Sequence, residues 1–442
     1  MSEKPMVPAI LDPSRYTLEL TAELLDTASV APEQIAKMLQ ADVGHTPSDV
    51  IYEENKVRLH RYEPDEVTQE TPIVIVYALI NRPYILDLQP NTSVIETLLA
   101  AGYEVYLVDW GDPSRLDRTL TLEDYVLRYL DNCIEEVCTE SGVDDVHLLG
   151  YCMGGTLSVL YTALEPERVR TLGTMALAFS FHGDSGIFET WVQHVDPDVL
   201  VDTLGNMPKR PMAVTFTMKD PVDNYVTRFI DLYERLDEDF FVEMYSRIER
   251  WSWDGVDIAG ETFRQFIDEI YQDNKLANNE LSVGGRHVDL TTIDVPVLQV
   301  IGLKDTIAPP ESSRPLESQI STDDYEEMEF PTGHFGVSVS PSAHETLWSD
   351  VADWFAERDA DSGGGGMSAP KRDGSGGIDT LSSNGQDGDI EELDGIGPTY
   401  ADRLGEAGIE TQEDLAGYDP EELAKIADTS PSRARDWLEQ LV

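Results

Sequence analysis

The chain has 442 residues, 85 of them acidic and 31 basic, for a net charge of −54. A charge this negative excludes phosphate-backbone binding as the main activity, since such binding needs a surface that neutralises phosphates. At low ionic strength it would also work against the compact state by self-repulsion.

At molar salt the Debye length is about 3 Å and that repulsion is screened. The acidic residues are spread along the chain, and only nine of the basic ones are lysine. This is the composition expected of adaptation to a salt-saturated interior, as in halophilic archaea. A cation-binding or basic-partner surface would call for a concentrated acidic run instead. Three cysteines occur, Cys133, Cys138 and Cys152, without metal spacing or an even disulfide framework, so neither a metal nor another cofactor is expected. The opening Met1-Ser2-Glu3-Lys4-Pro5-Met6 has no basic or apolar leader pattern, and no apolar stretch approaches the roughly 18 residues of a spanning helix. A cytoplasmic protein is expected.

In chain order, residues 1–65 read as a lead-in, with an amphipathic helical stretch over 15–39 and a strand-like stretch over 49–62. Residues 66–357 read as the main domain. Near-continuous Val/Ile/Leu runs at 73–79, 104–109, 146–149 and 171–177 have the composition of buried parallel strands. They alternate with helical segments such as 92–101 and 122–137, which predicts an α/β sheet covered on both faces.

Gly150-Tyr151-Cys152-Met153-Gly154-Gly155 follows directly on Val146-His147-Leu148-Leu149. This is a nucleophile elbow, a strained strand-to-helix turn, with cysteine where most such enzymes carry serine. It predicts the α/β-hydrolase fold. The helix that starts at Cys152 aims its N-terminal dipole at the sulfur and favours thiolate. An acyl group on sulfur remains reactive and can be handed on to a hydroxyl or thiol.

Elbow enzymes carry nucleophile, acid and histidine in that order. Asp305 stands just beyond the apolar run 295–302, and His334 lies in the Gly-flanked loop Gly333-His334-Phe335-Gly336. Cys152 is the candidate nucleophile and His334 the candidate base and acid. Asp305 either orients the imidazole or acts on an incoming hydroxyl. The oxyanion donors are expected to be the backbone N–H groups of Met153 and of Ile80 or Asn81. An anionic substrate would need local cations, for which Arg82, Arg286 and Lys304 are the candidates.

From 181 to 288 the pattern turns helical and aromatic, with Phe188, Trp191, Trp251, Phe263, Phe266 and Tyr271 among its rings. An insertion here reads as a helical cap that shields an acyl thioester from water and offers the acyl chain an apolar tunnel. An ordinary helical subdomain core, or a dimer or subunit contact, would look the same. Residues 358–388, rich in Gly, Ser and Asp, form a linker whose coil would span roughly 30 Å. In 389–442, Gly395-Ile396-Gly397-Pro398 and the apolar positions after it resemble a helix-hairpin-helix, an all-α unit. Its 15 acidic residues count against nucleic-acid contact and favour docking to another protein.

Several motifs together resemble the class III polyhydroxyalkanoate synthases. They are the run 77–88 (Tyr77-Ala78-Leu79-Ile80-Asn81-Arg82 onward), Val108-Asp109-Trp110-Gly111, the Gly150–Gly155 elbow, Ala259-Gly260-Glu261, Phe263-Arg264-Gln265-Phe266, Asn274-Lys275-Leu276, Gly284-Gly285-Arg286 and Gly333-His334. The similarity covers about 15–357. It implies an acyltransferase that polymerises short (R)-3-hydroxyacyl-CoA, such as the 3-hydroxybutyryl ester, into polyester and releases CoA. On that resemblance Cys152 carries the chain, His334 activates the thiol and Asp305 assists the substrate 3-hydroxyl. It further implies a second, non-catalytic subunit, homo- or hetero-oligomers, and residence on the surface of polymer granules. The extension past 358 and the extreme acidity depart from the family pattern. Two other readings are a Cys-type thioesterase or simple acyltransferase on the same fold, and a non-enzymatic scaffold for granule proteins or nucleic acid.

Overall fold

The computed structural model describes residues 43–181, 192–212 and 239–360, and positions 404, 409, 415, 418, 423, 425 and 426. The expected helix over 15–39, the linker and most of 389–442 lie outside the described residues. The chain divides into two compact units, Met1–Gly365 and Gly366–Val442. In the second, Leu404, Ile409, Leu415 and Leu423 are completely buried.

The first unit is built on one eight-stranded sheet. Its strands are β1 (Asp49–Glu54), β2 (Val57–Tyr62), β3 (Ile73–Val76), β4 (Val105–Asp109), β5 (Val146–Tyr151), β6 (Val169–Met175), and later β9 (Val297–Gly302) and β10 (Tyr325–Phe330). The short strands β7 (Ser282–Val283) and β8 (Arg286–His287) pair only with each other. The order is β1-β2-β4-β3-β5-β6-β9-β10. Within this sheet β2 alone runs opposite to the other strands. The single strand-like stretch 49–62 is thus two strands of the main sheet. They turn at Asn55, whose φ of 54° is the left-handed geometry a tight hairpin needs.

The central strands follow from composition. Every residue of β3, β5 and β9 is buried, as a parallel sheet covered on both faces requires. The edge strand β10 instead shows Glu326 and Glu329 to solvent, which discourages pairing with another edge. Packed on the sheet are α1 (Val94–Ala100), α2 (Asp131–Ser141, preceded by the π-helical turn Asp124–Leu130) and α3 (Met153–Leu164). All twelve residues of α3 are buried, the fate of a helix apolar on every face. The cap region contributes α4 (Pro197–Leu204), α5 (Asp239–Trp253) and α6 (Gly260–Gln265), and α7 (Leu347–Ala360) closes the unit. From β3 the chain steps first to β4 on one side and then to β5 on the other. This reversal opens a crevice at the carboxyl ends of the strands.

At the opposite edge a buried polar network pins α7. His147 on β5 pairs Nδ1 with Thr171 Oγ1 (2.8 Å) and Nε2 with Asp359 Oδ1 (3.3 Å), while Asp359 Oδ2 accepts from the Thr71 N–H (3.3 Å). Burial pushes the His147 pKa down. Burial alone would raise that of Asp359, but the hydrogen bonds from His147 and Thr71 outweigh it and hold the carboxyl below its usual range. A depressed folded pKa means that the native state binds fewer protons than the unfolded chain. Both groups therefore withdraw stability as pH falls, His147 below its ordinary value near 6.5 and Asp359 below 3.8. Asp359→Ala should cost about 1–3 kcal/mol by stranding the His147 and Thr71 donors. Urea melts at pH 7.5 and 5.5 would measure this, and the wild type should be less stable at pH 5.5 than at pH 7.5 because His147 takes up a proton in the unfolded chain.

Candidate active site

Cys152 sits between the end of β5 and the start of α3 at φ 56°, ψ −122°. This backbone strain is sparsely populated for any residue with a Cβ and persists only where the surroundings enforce it. The flanking glycines show how. A Cβ on Gly154 would stand 2.0 Å from the Val76 carbonyl oxygen, and one on Gly150 would stand 2.5 Å from the Gly155 Cα. The turn therefore closes only with bare backbone at both places, and the Cys152 N–H is held by the Met175 carbonyl at 2.9 Å.

The structure brings the three sequence-predicted side chains together. Cys152, Asp305 and His334 are 7%, 3% and 6% exposed. His334 Nδ1 lies 2.7 Å from Asp305 Oδ2, and the Cys152 sulfur is near enough to act on the charge of the imidazole. Asp305 Oδ1 accepts from the N–H groups of Ile307 (2.7 Å) and Ala308 (2.8 Å). Burial opposes a charge on His334. The Asp305 carboxylate and the Cys152 sulfur outweigh it and raise the imidazole pKa to about 10.

Met153 opens α3, so its N–H has no partner within the helix. Val76 pairs with Gly150 across the sheet, so the loop that follows β3 overhangs the elbow. Asn81 in that loop takes φ 60°. Among the described residues the N–H groups of Ile80 and Asn81 meet no acceptor. These three are the N–H groups that the sequence put forward as oxyanion donors.

The three candidate cations fare differently. Arg82 follows Asn81 in the loop after β3, but its guanidinium faces Asp112 (3.9 Å) and Asp254 (3.8 Å). Lys304 is exposed and adjoins Asp305 in sequence. Arg286 is held away from Cys152. It bonds Glu165 and the Leu164 carbonyl, both at 2.5 Å, and so caps the C-terminal end of α3. Cys152 stands at the other end of that twelve-residue helix, roughly 18 Å away at 1.5 Å per residue.

Aromatic residues pack around the site. Tyr151 stacks on His334, with centroids 5.4 Å apart and planes at 28°, and Phe335 meets the same ring edge-on at 5.2 Å. Trp251 on α5 donates Nε1–H to the Arg82 carbonyl at 2.7 Å and packs on Phe335 at 5.0 Å. It thereby ties α5 to both the loop after β3 and the histidine loop. Burial, with Cys152 nearby, pushes the hydroxyls of Tyr77, Tyr151 and Tyr271 far above their ordinary pKa. They remain neutral. Phe188, Trp191 and the rest of 182–191 and 213–238 lie outside the described residues.

Comparison with known proteins adds the family. Residues 71–341 match the alpha/beta hydrolase fold, residues 23–98 the N-terminus of poly-beta-hydroxybutyrate polymerase, and residues 388–442 a SAM-like helix-hairpin-helix tandem. The chain is 46% identical to the poly(3-hydroxyalkanoate) polymerase subunit PhaC of Haloarcula marismortui, over 100% of both chains. It is 43% identical to that of Haloferax mediterranei over 97% of each. The corresponding subunit of Allochromatium vinosum is 41% identical over 77% of this chain and 98% of its own.

Proposed function

The chain belongs to the family of poly(3-hydroxyalkanoate) polymerase PhaC subunits, and from that premise we propose that it polymerises short (R)-3-hydroxyacyl-CoA into polyester through a thioester on Cys152. The observation that carries this reading is the strained Cys152 turn with His334 and Asp305 in line behind it. Full-length similarity to two haloarchaeal relatives also accounts for the acidity and for the extension past 358, both of which depart from the bacterial pattern.

In this reading the Cys152 sulfur attacks the thioester carbonyl, the C–S bond to CoA breaks, and His334 protonates the departing sulfur. Neutral His334 then takes the proton of the next substrate's 3-hydroxyl. That oxygen attacks the Cys152 thioester, an ester bond forms, and the Cys152 sulfur leaves to pair again with the imidazolium. Asp305 acts by orienting. Its side chain has no exposed surface, one oxygen holds His334 and the other holds two backbone N–H groups. That leaves no free direction toward a substrate hydroxyl, which favours His334 over Asp305 as the base for the 3-hydroxyl.

The relatives are named as subunits. We read this chain likewise as the catalytic member of an oligomer with a second, non-catalytic subunit, at the surface of cytoplasmic polymer granules. Residues 389–442 then serve protein docking rather than nucleic-acid contact. Among the described residues no helix is long and apolar enough to cross a membrane. The test is turnover of (R)-3-hydroxybutyryl-CoA in multimolar salt with the co-purified partner. Polymer together with CoA is expected; CoA with only free hydroxy acid would make the chain a thioesterase.

A further inference from the structure

We propose that Tyr151 is a positioning residue that holds the His334 imidazole against Cys152. This rests on the Cys152–His334–Asp305 reading above. Tyr151 is the last residue of β5, one place before the nucleophile, and only 2% exposed. Its hydroxyl donates to the His334 carbonyl at 3.2 Å, and among the described residues no other group donates there. Its ring lies against the imidazole face at 5.4 Å. His334 follows β10 at the sheet edge. Asp305 refers it to β9, whereas Tyr151 refers it to β5, the strand that carries the sulfur. Two strands of a rigid sheet thus fix the ring, and the Tyr151 link is the shorter route to Cys152.

The ring also bears on charge. An aromatic face is electron-rich and favours a cation lying over it. The groups facing His334 are Asp305 beyond β9, Cys152 at the elbow, Tyr151 on β5 and Phe335 in its own loop. Behind these, Tyr77 at the end of β3 packs on Tyr151 at 5.7 Å, and Trp251 on α5 packs on Phe335. The raised imidazole pKa is in keeping with this surrounding.

Tyr151→Phe removes the tether and keeps the ring; Tyr151→Leu removes both. The full chain with its partner subunit would be assayed for CoA release, and for the rate of Cys152 alkylation by iodoacetamide between pH 5 and 11. Tyr151→Phe is expected to lower kcat three- to tenfold at unchanged KM, roughly one hydrogen bond's worth. Tyr151→Leu is expected to move the alkaline inflection of alkylation, where the imidazolium gives up its proton, down by about one pH unit. Wild-type kcat and inflection in both variants would overturn the proposal. So would a lowered melting temperature with kcat and inflection unchanged, which is the mark of packing alone. Should Tyr151→Leu not fold, the isosteric Tyr151→Phe decides through kcat. Cys152→Ala run in parallel separates the premise: CoA release that survives in it sinks the nucleophile assignment rather than the role of Tyr151.

Discussion

Cys152→Ala is expected to abolish polymer formation and to cut CoA release by on the order of 10⁴- to 10⁶-fold, the loss seen when an enzyme of this kind is deprived of its nucleophile. The strained turn should survive the change, because alanine fits wherever cysteine does and the glycines that permit the turn are untouched. Melting temperature should therefore stay near that of the wild type, or rise as a strained, reactive group is removed. An inactive variant with unaltered melting would locate the loss in chemistry. A variant retaining a tenth of the wild-type rate would require a different nucleophile. Cys133 is a poor substitute: it is fully buried in α2, and its burial pushes the thiol up to about 12.

Asp305→Asn should lower kcat on the order of 10³- to 10⁴-fold while leaving KM within a few-fold. The asparagine oxygen can still accept from Ile307 and Ala308, so the loop should hold. Its amide would then donate to His334 Nδ1, place the imidazole proton on Nε2, and turn a donor toward the sulfur that needs an acceptor. Stability should report the same change. The folded pKa of His334 is raised to about 10 from 6.5, so its contribution is fully present below pH 6.5 and is lost as pH rises toward 10. In Asp305→Asn that alkaline decline should flatten. Paired melts at pH 6.5 and 9.5 would detect it, and equal slopes in the two proteins would contradict the assigned charge state.

How much of this was legible in sequence depended on how local the constraint was. The elbow could be read directly because its geometry forbids a side chain at Gly150 and Gly154, so the constraint is written in the residues themselves. Asp305 followed from chain order and its place beyond the apolar run of β9, and His334 from chain order and its Gly-flanked loop. The parallel strands β3, β4, β5, β6 and β9 were legible as apolar runs, and their bounds moved only by a few residues, whereas the parallel edge strand β10, with Glu326, Glu327 and Glu329 in it, had no such run to show. The hairpin at Asn55 was hidden because Asn-Lys is a weaker turn signal than Asn-Gly, so two strands read as one stretch. The place of Arg286 was hidden for a different reason. Its neighbours in space, Leu164 and Glu165, are more than 120 positions away in sequence, and no local pattern reveals that it caps the far end of α3. Tyr151 and Trp251 carried no signal beyond being aromatic, and a buried aromatic is by default part of a core. Their relation to His334 and Arg82 depends on which strands and helices become neighbours.

The most direct measurement of the central claim is mass spectrometry of the Cys152 peptide after brief exposure of the full chain and its partner to (R)-3-hydroxybutyryl-CoA in multimolar salt. The expected result is hydroxybutyryl units attached to Cys152 in a hydroxylamine-sensitive thioester, in a ladder of increasing length, together with released CoA. Polymer and CoA produced with the Cys152 peptide unmodified at every time point would contradict the account.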